Sequence, residues 1–421
     1  MPRRVDFTAD LILVCNSLDA GGIERVVSTL ANEWSRRGRR VCVITQYDRQ
    51  RFYALDPEVH HVIIDRAAMG QVAELPNKFK SRLHELGFLK RRLLKPLSGA
   101  VRHVLAERLY RINFSLLFAY ETRVLRRAIE RVESPLVVSF GTSLNILTLK
   151  ACRGLGRRVV ISERSDAGLQ GWGRLSRRFY DRADVVTANS RGALRGLGDF
   201  VDPRKLAFVP NPLVLPDCND TCASTNVSTN SNANTNTGEE RPPLFLTVGR
   251  LVWDKAYDVL LDAFAMLGEE FGGWRLSVVG GGHLKDALRA QAEGLGIARR
   301  VNWHGVVRDP HAFYRAASVF VLPSRTEGMP NALLEAMGSG LPVVVSDGAP
   351  GPLELVEDGV TGLVVPVNDA TALASALARL ARDASLRRRL GDAAQARASE
   401  HELPRALAAW ESAIGLVGLV R

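Results

Sequence analysis

Short apolar runs rich in Val, Ile, Leu and Phe punctuate this chain, and amphipathic stretches with a three-to-four-residue apolar repeat separate them. The runs at 11–16, 41–45, 59–64, 136–140, 158–162 and 184–188 read as buried strands in the first half. Those at 244–248, 276–279, 301–304, 318–322 and 342–346 read the same way in the second. Helical patterns follow several of them, as at 23–37 and from residue 370 onward. Strand and helix in alternation predict parallel sheets with right-handed crossovers, an α/β class.

The most informative stretch is 320–347, FVLPSRTEGMPNALLEAMGSGLPVVVSD. It predicts strand, turn, helix, turn, strand. Gly328 breaks the chain, and Pro330 suits the first helical position because the N–H it lacks has no partner there. Gly338, Gly340 and Pro342 end the helix. Ligands of such sheets sit beyond the C-terminal strand ends, against helix N-termini. The backbone N–H groups near Met329, Asn331 and Ala332 therefore offer an anion site. Glu327 lies before the helix and Glu335 in its second turn. Seven residues separate the two carboxylates, so they suit different parts of one elongated ligand better than a touching acid/base pair.

Other strand ends carry candidate chemistry. Gly21 and Gly22, in SLDAGGIE, allow close backbone approach at a helix N-terminus. Arg250 and Lys255 follow the strand at 244–248 and could stabilise a departing diphosphate, whose negative charge grows in the transition state. Gly281 belongs to the GGGH turn, where a ribose or phosphate could approach. Glu163 and Arg164 end the strand at 158–162.

A chain of 421 residues suggests two domains. The expected boundaries are an N-terminal domain at 1–210, a linker at 217–240, a C-terminal domain at 241–403 and a last helix at 404–421. The linker tract is nearly all Asn, Thr, Ser and Ala, and cannot bury enough apolar surface to order itself. The N-terminus has charges within its apolar run and reads as an ordered first strand rather than a signal peptide. No apolar run is long enough for a spanning helix. Five cysteines at scattered positions favour reduced thiols in a cytosol. No His, Cys, Asp and Glu cluster has metal-ligand spacing, so no metal or cofactor is expected.

Net charge is +11, and its placement matters more than its size. Within 76–133, 14 basic residues face 5 acidic ones, and apolar residues recur at a helical period from 86 to 116. Basic amphipathic helices suit an anionic membrane surface or a polyphosphate. The alternative is a helix packed on the sheet with a solvated basic face. Nucleic acid is not an expected partner, because no recognised binding motif accompanies the charge.

EGMPNALLEAMGSGLPVV resembles the E-x7-E region of family 4 glycosyltransferases, retaining enzymes of the GT-B fold. GGIERVVSTLANEWSRRGRRVCVIT and GRL with Lys255 are similar to the same family's first unit and diphosphate-binding pattern. SFGTSLNIL, ISERSD and VPNPL resemble its bacterial surface-polysaccharide branch. The resemblance implies two doubly wound Rossmann-like domains facing across a cleft. It implies transfer of a hexose or N-acetylhexosamine from a nucleoside-diphosphate sugar, UDP above all, to an undecaprenyl-diphosphate-linked glycan. The donor is then a co-substrate, and the protein sits peripherally on the cytoplasmic face of the membrane. Arg250 and Lys255 would hold the diphosphate, Glu327 the donor sugar or its developing charge, and Glu335 the ribose. Gly21, Gly22, Gly328, Met329, Pro330 and Asn331 would line the donor, and the loop with Val307 and Arg308 would hold the base. Glu163 and Arg164 are acceptor-side candidates.

Two departures are visible. No histidine stands in SFGTSLNIL or ISERSD, where many members carry one, and Ala256 replaces the usual glycine after the lysine. Two other readings stay open. One is a soluble transferase making a storage glucan or disaccharide, against which the basic helix argues. The other is a degenerate nucleotide-sugar sensor, against which the intact Glu327, Glu335, Arg250 and Lys255 argue.

Overall fold

The computed structural model describes residues 5–47, 51–64, 118–164, 173–215 and 242–416. The basic stretch 86–117 and the Asn/Thr/Ser tract, with Cys218 and Cys222, lie outside them. Packing divides the chain into two units, Met1–Ser162 with Gly171–Val186, and Glu163–Gln170 with Thr187–Arg421.

The first sheet has seven strands, in spatial order His60–Ile63, Val41–Thr45, Leu11–Cys15, Leu136–Phe140, Arg158–Glu163, Val185–Ala188 and Leu206–Phe208. From His60–Ile63 through Arg158–Glu163 the pairs run parallel in unbroken register. Leu11–Cys15, Val41–Thr45 and Leu136–Phe140 are buried at every position, which is why they read as continuous apolar runs rather than alternating ones. The helix Gly22–Arg36 lays Val26, Val27, Leu30, Ala31 and Trp34 inward and its charged residues outward. The last part of the basic segment is a helix at 118–130 that buries Leu125, Ala128 and Ile129. A two-residue strand, Val132–Glu133, follows it and pairs with Phe7–Thr8.

The second sheet is wholly parallel, in spatial order Val301–Gly305, Arg275–Val279, Leu244–Val248, Val319–Leu322, Val343–Ser346 and Leu363–Val365. Counted along the chain this is third, second, first, fourth, fifth, sixth, the doubly wound order. Alternate residues feed two cores. Val319, Val321 and Val344 join one that holds Phe264, Leu377 and Leu380, whereas Phe320, Leu322 and Val345 join another that holds Leu333, Met337 and Tyr314.

In both sheets the strand order reverses beside the strand of that sheet that comes first in the chain. In the first unit the reversal lies between Leu11–Cys15 and Leu136–Phe140, and in the second between Leu244–Val248 and Val319–Leu322. The loops after those strands are where a doubly wound sheet places its ligands. Among the described residues no helix is long and apolar enough to cross a membrane, and no group of three or more His, Cys, Asp or Glu could hold a metal ion.

Candidate functional site

The second unit's reversal point brings two predicted residues together. After Leu244–Val248 the chain makes the turn Trp253–Lys255, and after Val319–Leu322 it runs through Ser324 to Glu327. Lys255 Nζ donates to Glu327 Oε1, and the same oxygen accepts from Ser324 Oγ at 2.7 Å. The Glu327 side chain keeps only 9% of its surface exposed and that of Lys255 18%. This is an ion pair largely removed from water, in a place where fixed charge acts strongly on a ligand.

The floor beneath the pair is built by close backbone approach. Gly280 has φ of 144°, and a methyl there would stand 1.8 Å from the Gly249 carbonyl oxygen. Only glycine fits that crossing, which lets Leu251 N–H donate to the Gly281 carbonyl at 2.9 Å. Tyr257 lies under the same loop. Burial pushes its phenol up, and the Glu327 carboxylate adds to the push, so it stays neutral. Ala256 takes the left-handed conformation, φ 51° and ψ 38°, where the family's glycine would go. Arg250 is exposed, as is Arg308, and Val307 is half-buried. Gly281 faces Val306.

The helix Asn331–Gly338 starts one residue later than its proline suggests. Pro330 is the N-cap, with φ −78° and ψ 118°, and gives no side-chain cap. The positive end of the helix therefore carries no carboxylate of its own. Glu335 is buried and its Oε2 accepts from Tyr314 OH at 2.9 Å. A short helix, Pro350–Leu353, supports the turn before Asn331–Gly338. A methyl on Gly351 would stand 1.6 Å from the Gly328 carbonyl oxygen, so the two backbones are in contact there.

Asn211, from the VPNPL stretch, is a residue the sequence did not mark. Its Nδ2 donates to the Met329 carbonyl at 3.0 Å and to Asn331 Oδ1 at 2.6 Å. Its own Oδ1 accepts from Arg164 Nη1 at 2.5 Å and from Asn189 Nδ2 at 3.3 Å. One buried amide thus fixes the entrance of the Asn331–Gly338 helix. Its partners on that helix lie more than a hundred positions away, so no local spacing could have revealed it. Arg164 stands 5.3 Å from the Trp410 ring. Burial pushes its guanidinium down to about 9, with Glu163 opposing, and it remains a cation at neutral pH. Glu163 is buried, with Oε1 accepting the Arg164 N–H at 3.0 Å. Both acceptor-side candidates are therefore interior groups, and Arg164 acts in the Asn211 network. Glu354 adds a further tie, its carboxylate accepting from the N–H groups of Arg191 at 2.7 Å and Gly192 at 2.6 Å. These bonds explain why residues 187–215 pack with the second unit.

In the first unit Gly21 caps and Gly22 begins the helix Gly22–Arg36, in the loop beyond Leu11–Cys15. Gly141 opens the neighbouring loop beyond Leu136–Phe140, with φ of 94°. Cys15, Cys42 and Cys152 are buried, and burial raises all three thiols, Cys42 and Cys152 to about 12.

Comparison with known proteins gives the family and the fold. Residues 20–215 match the family model described as Glycosyltransferase Family 4, and residues 229–397 match that of Glycosyl transferases group 1. The chain is 26% identical, over 94% of its length and 95% of the relative's, to the GalNAc-alpha-(1->4)-GalNAc-alpha-(1->3)-diNAcBac-PP-undecaprenol alpha-1,4-N-acetyl-D-galactosaminyltransferase of Campylobacter jejuni. It is 31% identical, over 58% of its length and 67% of the relative's, to the GDP-mannose-dependent alpha-(1-6)-phosphatidylinositol monomannoside mannosyltransferase of Mycolicibacterium smegmatis. Three further curated relatives match more locally, and the chain spans only 47%, 16% and 43% of their lengths. Its fold is similar to that of Anabaena HepE, solved with UDP and glucose, at a TM-score of 0.71 and 17% identity, covering 97% of this chain and all of that one.

Proposed function

The chain belongs to glycosyltransferase family 4, and from that premise we propose that it moves a hexose or N-acetylhexosamine from a nucleoside-diphosphate sugar to a lipid-linked glycan, with retention at the anomeric carbon. The observation that carries this reading is the Lys255–Glu327 pair at the reversal point of the second sheet. A cation there meets a diphosphate, and a carboxylate beside it, from the loop after the neighbouring strand, meets the sugar attached to it.

Without donor, Lys255 and Glu327 neutralise one another. A bound diphosphate supplies Lys255 with a stronger anion and releases Glu327 toward the donor sugar. As the sugar–phosphate bond breaks, negative charge builds on the leaving phosphate and positive charge at the anomeric carbon. Lys255 and Arg250 stabilise the first and Glu327 the second, both more in the transition state than in the ground state. The helix end behind Gly328, Met329, Pro330 and Asn331 adds its partial positive charge. Glu335, oriented by Tyr314, takes the ribose hydroxyls. The base lies along Val307 and Arg308, and UDP is the proposed nucleotide.

The acceptor is proposed to be a diphosphate-linked lipid glycan, by analogy with the undecaprenol-linked glycan in the Campylobacter relative's name. The basic stretch 86–117 would then hold the protein at the anionic cytoplasmic membrane face, each cation contributing about 1 kcal/mol. Replacing Lys90, Arg91, Arg92 and Lys95 with glutamate should abolish sedimentation with anionic vesicles at low salt. Equal sedimentation of that variant removes the membrane reading and favours a soluble transferase.

The activity itself is tested by incubating the protein with UDP- and GDP-sugars and a bacterial lipid extract. One lipid-linked species should gain the mass of one sugar, with release of UDP. A panel in which every donor is bound and none is consumed would establish the sensor reading instead.

A further inference from the structure

The turn that carries Lys255 hangs from a side chain outside the expected site. Arg325 Nη1 donates to the Trp253 carbonyl at 2.7 Å and to Asp258 Oδ1 at 3.0 Å. Its Nη2 donates to Asp258 Oδ2 at 2.6 Å, and its Nε to Asn368 Oδ1 at 2.7 Å. The guanidinium also lies over the Trp253 ring, 4.7 Å from its centre. The Arg325 backbone N–H donates to the Asp254 carbonyl at 2.7 Å. Only 10% of the side chain is exposed. Against the upward push of burial, this guanidinium holds the Asp258 carboxyl below its ordinary value.

These contacts have one geometric effect. Trp253, Asp254 and Lys255 form a single short turn, and Asp258 lies in the first turn of the helix after it. Arg325 grips both sides of Lys255 in sequence, from a loop that reaches Glu327 two residues later. A planar fork is needed, because two parallel bonds go to one carboxylate while a third goes to a carbonyl. A lysine supplies the charge but not the fork. The turn is also held through a left-handed alanine at 256, so its shape is not set by its own backbone preference.

We propose that Arg325 is a positioning residue that fixes Lys255 for the diphosphate and touches no ligand itself. This rests on the reading of Lys255 as the diphosphate cation. The test uses the full chain as wild type, Arg325→Lys, Arg325→Met, Lys255→Ala and the Arg325→Met/Lys255→Ala double variant. UDP and UMP are titrated calorimetrically into each. Arg325→Met should weaken UDP about tenfold, a 1.4 kcal/mol effect, and leave UMP within about twofold. In the Lys255→Ala background the same change should alter UDP binding by less than about twofold, because the group it positions is gone. Arg325→Lys should behave like Arg325→Met despite its charge. Independent effects in the double variant, or equal weakening of UMP, overturn the proposal.

A ligand-free arm separates this idea from the functional reading. Amide hydrogen exchange over residues 251–256 should speed up about tenfold in both Arg325 variants, as local opening becomes easier. Unchanged exchange overturns the clamp whatever UDP does. If Lys255→Ala binds UDP as wild type does while exchange still rises, the clamp stands and the assignment of Lys255 fails.

Discussion

Replacing Lys255 with methionine probes the site without any substrate. The substitution keeps the length of the side chain and removes the charge, leaving the Glu327 carboxylate with 9% of its side chain exposed. Removing one partner of a fully buried pair costs about 3–5 kcal/mol. Glu327 keeps the Ser324 hydroxyl, a bond to a charged group worth roughly 1.5–3 kcal/mol, so part of the loss is already met. A net destabilisation of about 2–3 kcal/mol follows. For a unit of this size that lowers the unfolding midpoint by about 4–12 °C. The reverse change, Glu327→Gln, should cost less, because the longer lysine can swing its ammonium to water. The double variant Lys255→Met/Glu327→Gln should return to within about 1 kcal/mol of wild type, since no buried charge is left unpaired. Calorimetry of the four proteins reads all three numbers. If Lys255→Met melts with the wild type, or the double variant is no more stable than the single, the pair is a solvated surface contact and the reasoning fails.

Ala256→Gly should leave stability within about 0.5 kcal/mol, because relief of the left-handed conformation offsets the lost methyl and the freer unfolded chain; Ala256→Val should cost more than about 2 kcal/mol, and chemical denaturation separates the two. Burial holds the His401 imidazole below its ordinary 6.5, so the unfolded chain takes up the proton first and stability falls as pH drops below about 6.5; His401→Gln should flatten the unfolding midpoint between pH 7 and about 5.5, and an unchanged slope would assign the acid loss elsewhere. Asn211→Ala strands the partners of one amide at both ends, and should cost about 2–3 kcal/mol and weaken UDP binding; wild-type behaviour in both would show that water replaces the amide.

Much of the fold is legible in the sequence because it rests on burial. Val41–Thr45, Leu136–Phe140 and Leu244–Val248 are covered on both faces, so their apolar runs start and stop where the strands do. The last helix starts where its proline predicts, at Leu403, and ends at Ile414 before the left-handed Gly415, short of the expected 421. The Phe7–Thr8 and Val132–Glu133 pair escaped, since two residues carry no period. Leu363–Val365, three residues long, escaped for the same reason. Within the site, Glu327 and Lys255 stand out through the stretches that carry the resemblance, EGMPNALLEAMGSGLPVV and GRL with Lys255, in the turns after two strands. Asn211, Tyr314, Ser324 and Arg325 do not stand out. Each is an ordinary residue type whose meaning comes from a hydrogen-bond partner, in the same loop for Ser324 and far along the chain for Asn211 and Arg325, and such bonding leaves no pattern in one sequence. Pro330 shows the limit of a local rule, since its fixed φ serves the N-cap as well as the first helical position.

The central claim is transfer of a sugar with its anomeric configuration kept. The direct test is to supply the donor consumed in the sugar panel, carbon-13 labelled at the anomeric carbon, and to read the one-bond carbon–proton coupling of the lipid-linked product by NMR. An α-linked donor should give an α-linked product. A β-linked product would contradict retention, and free labelled sugar with no linked product would contradict transfer.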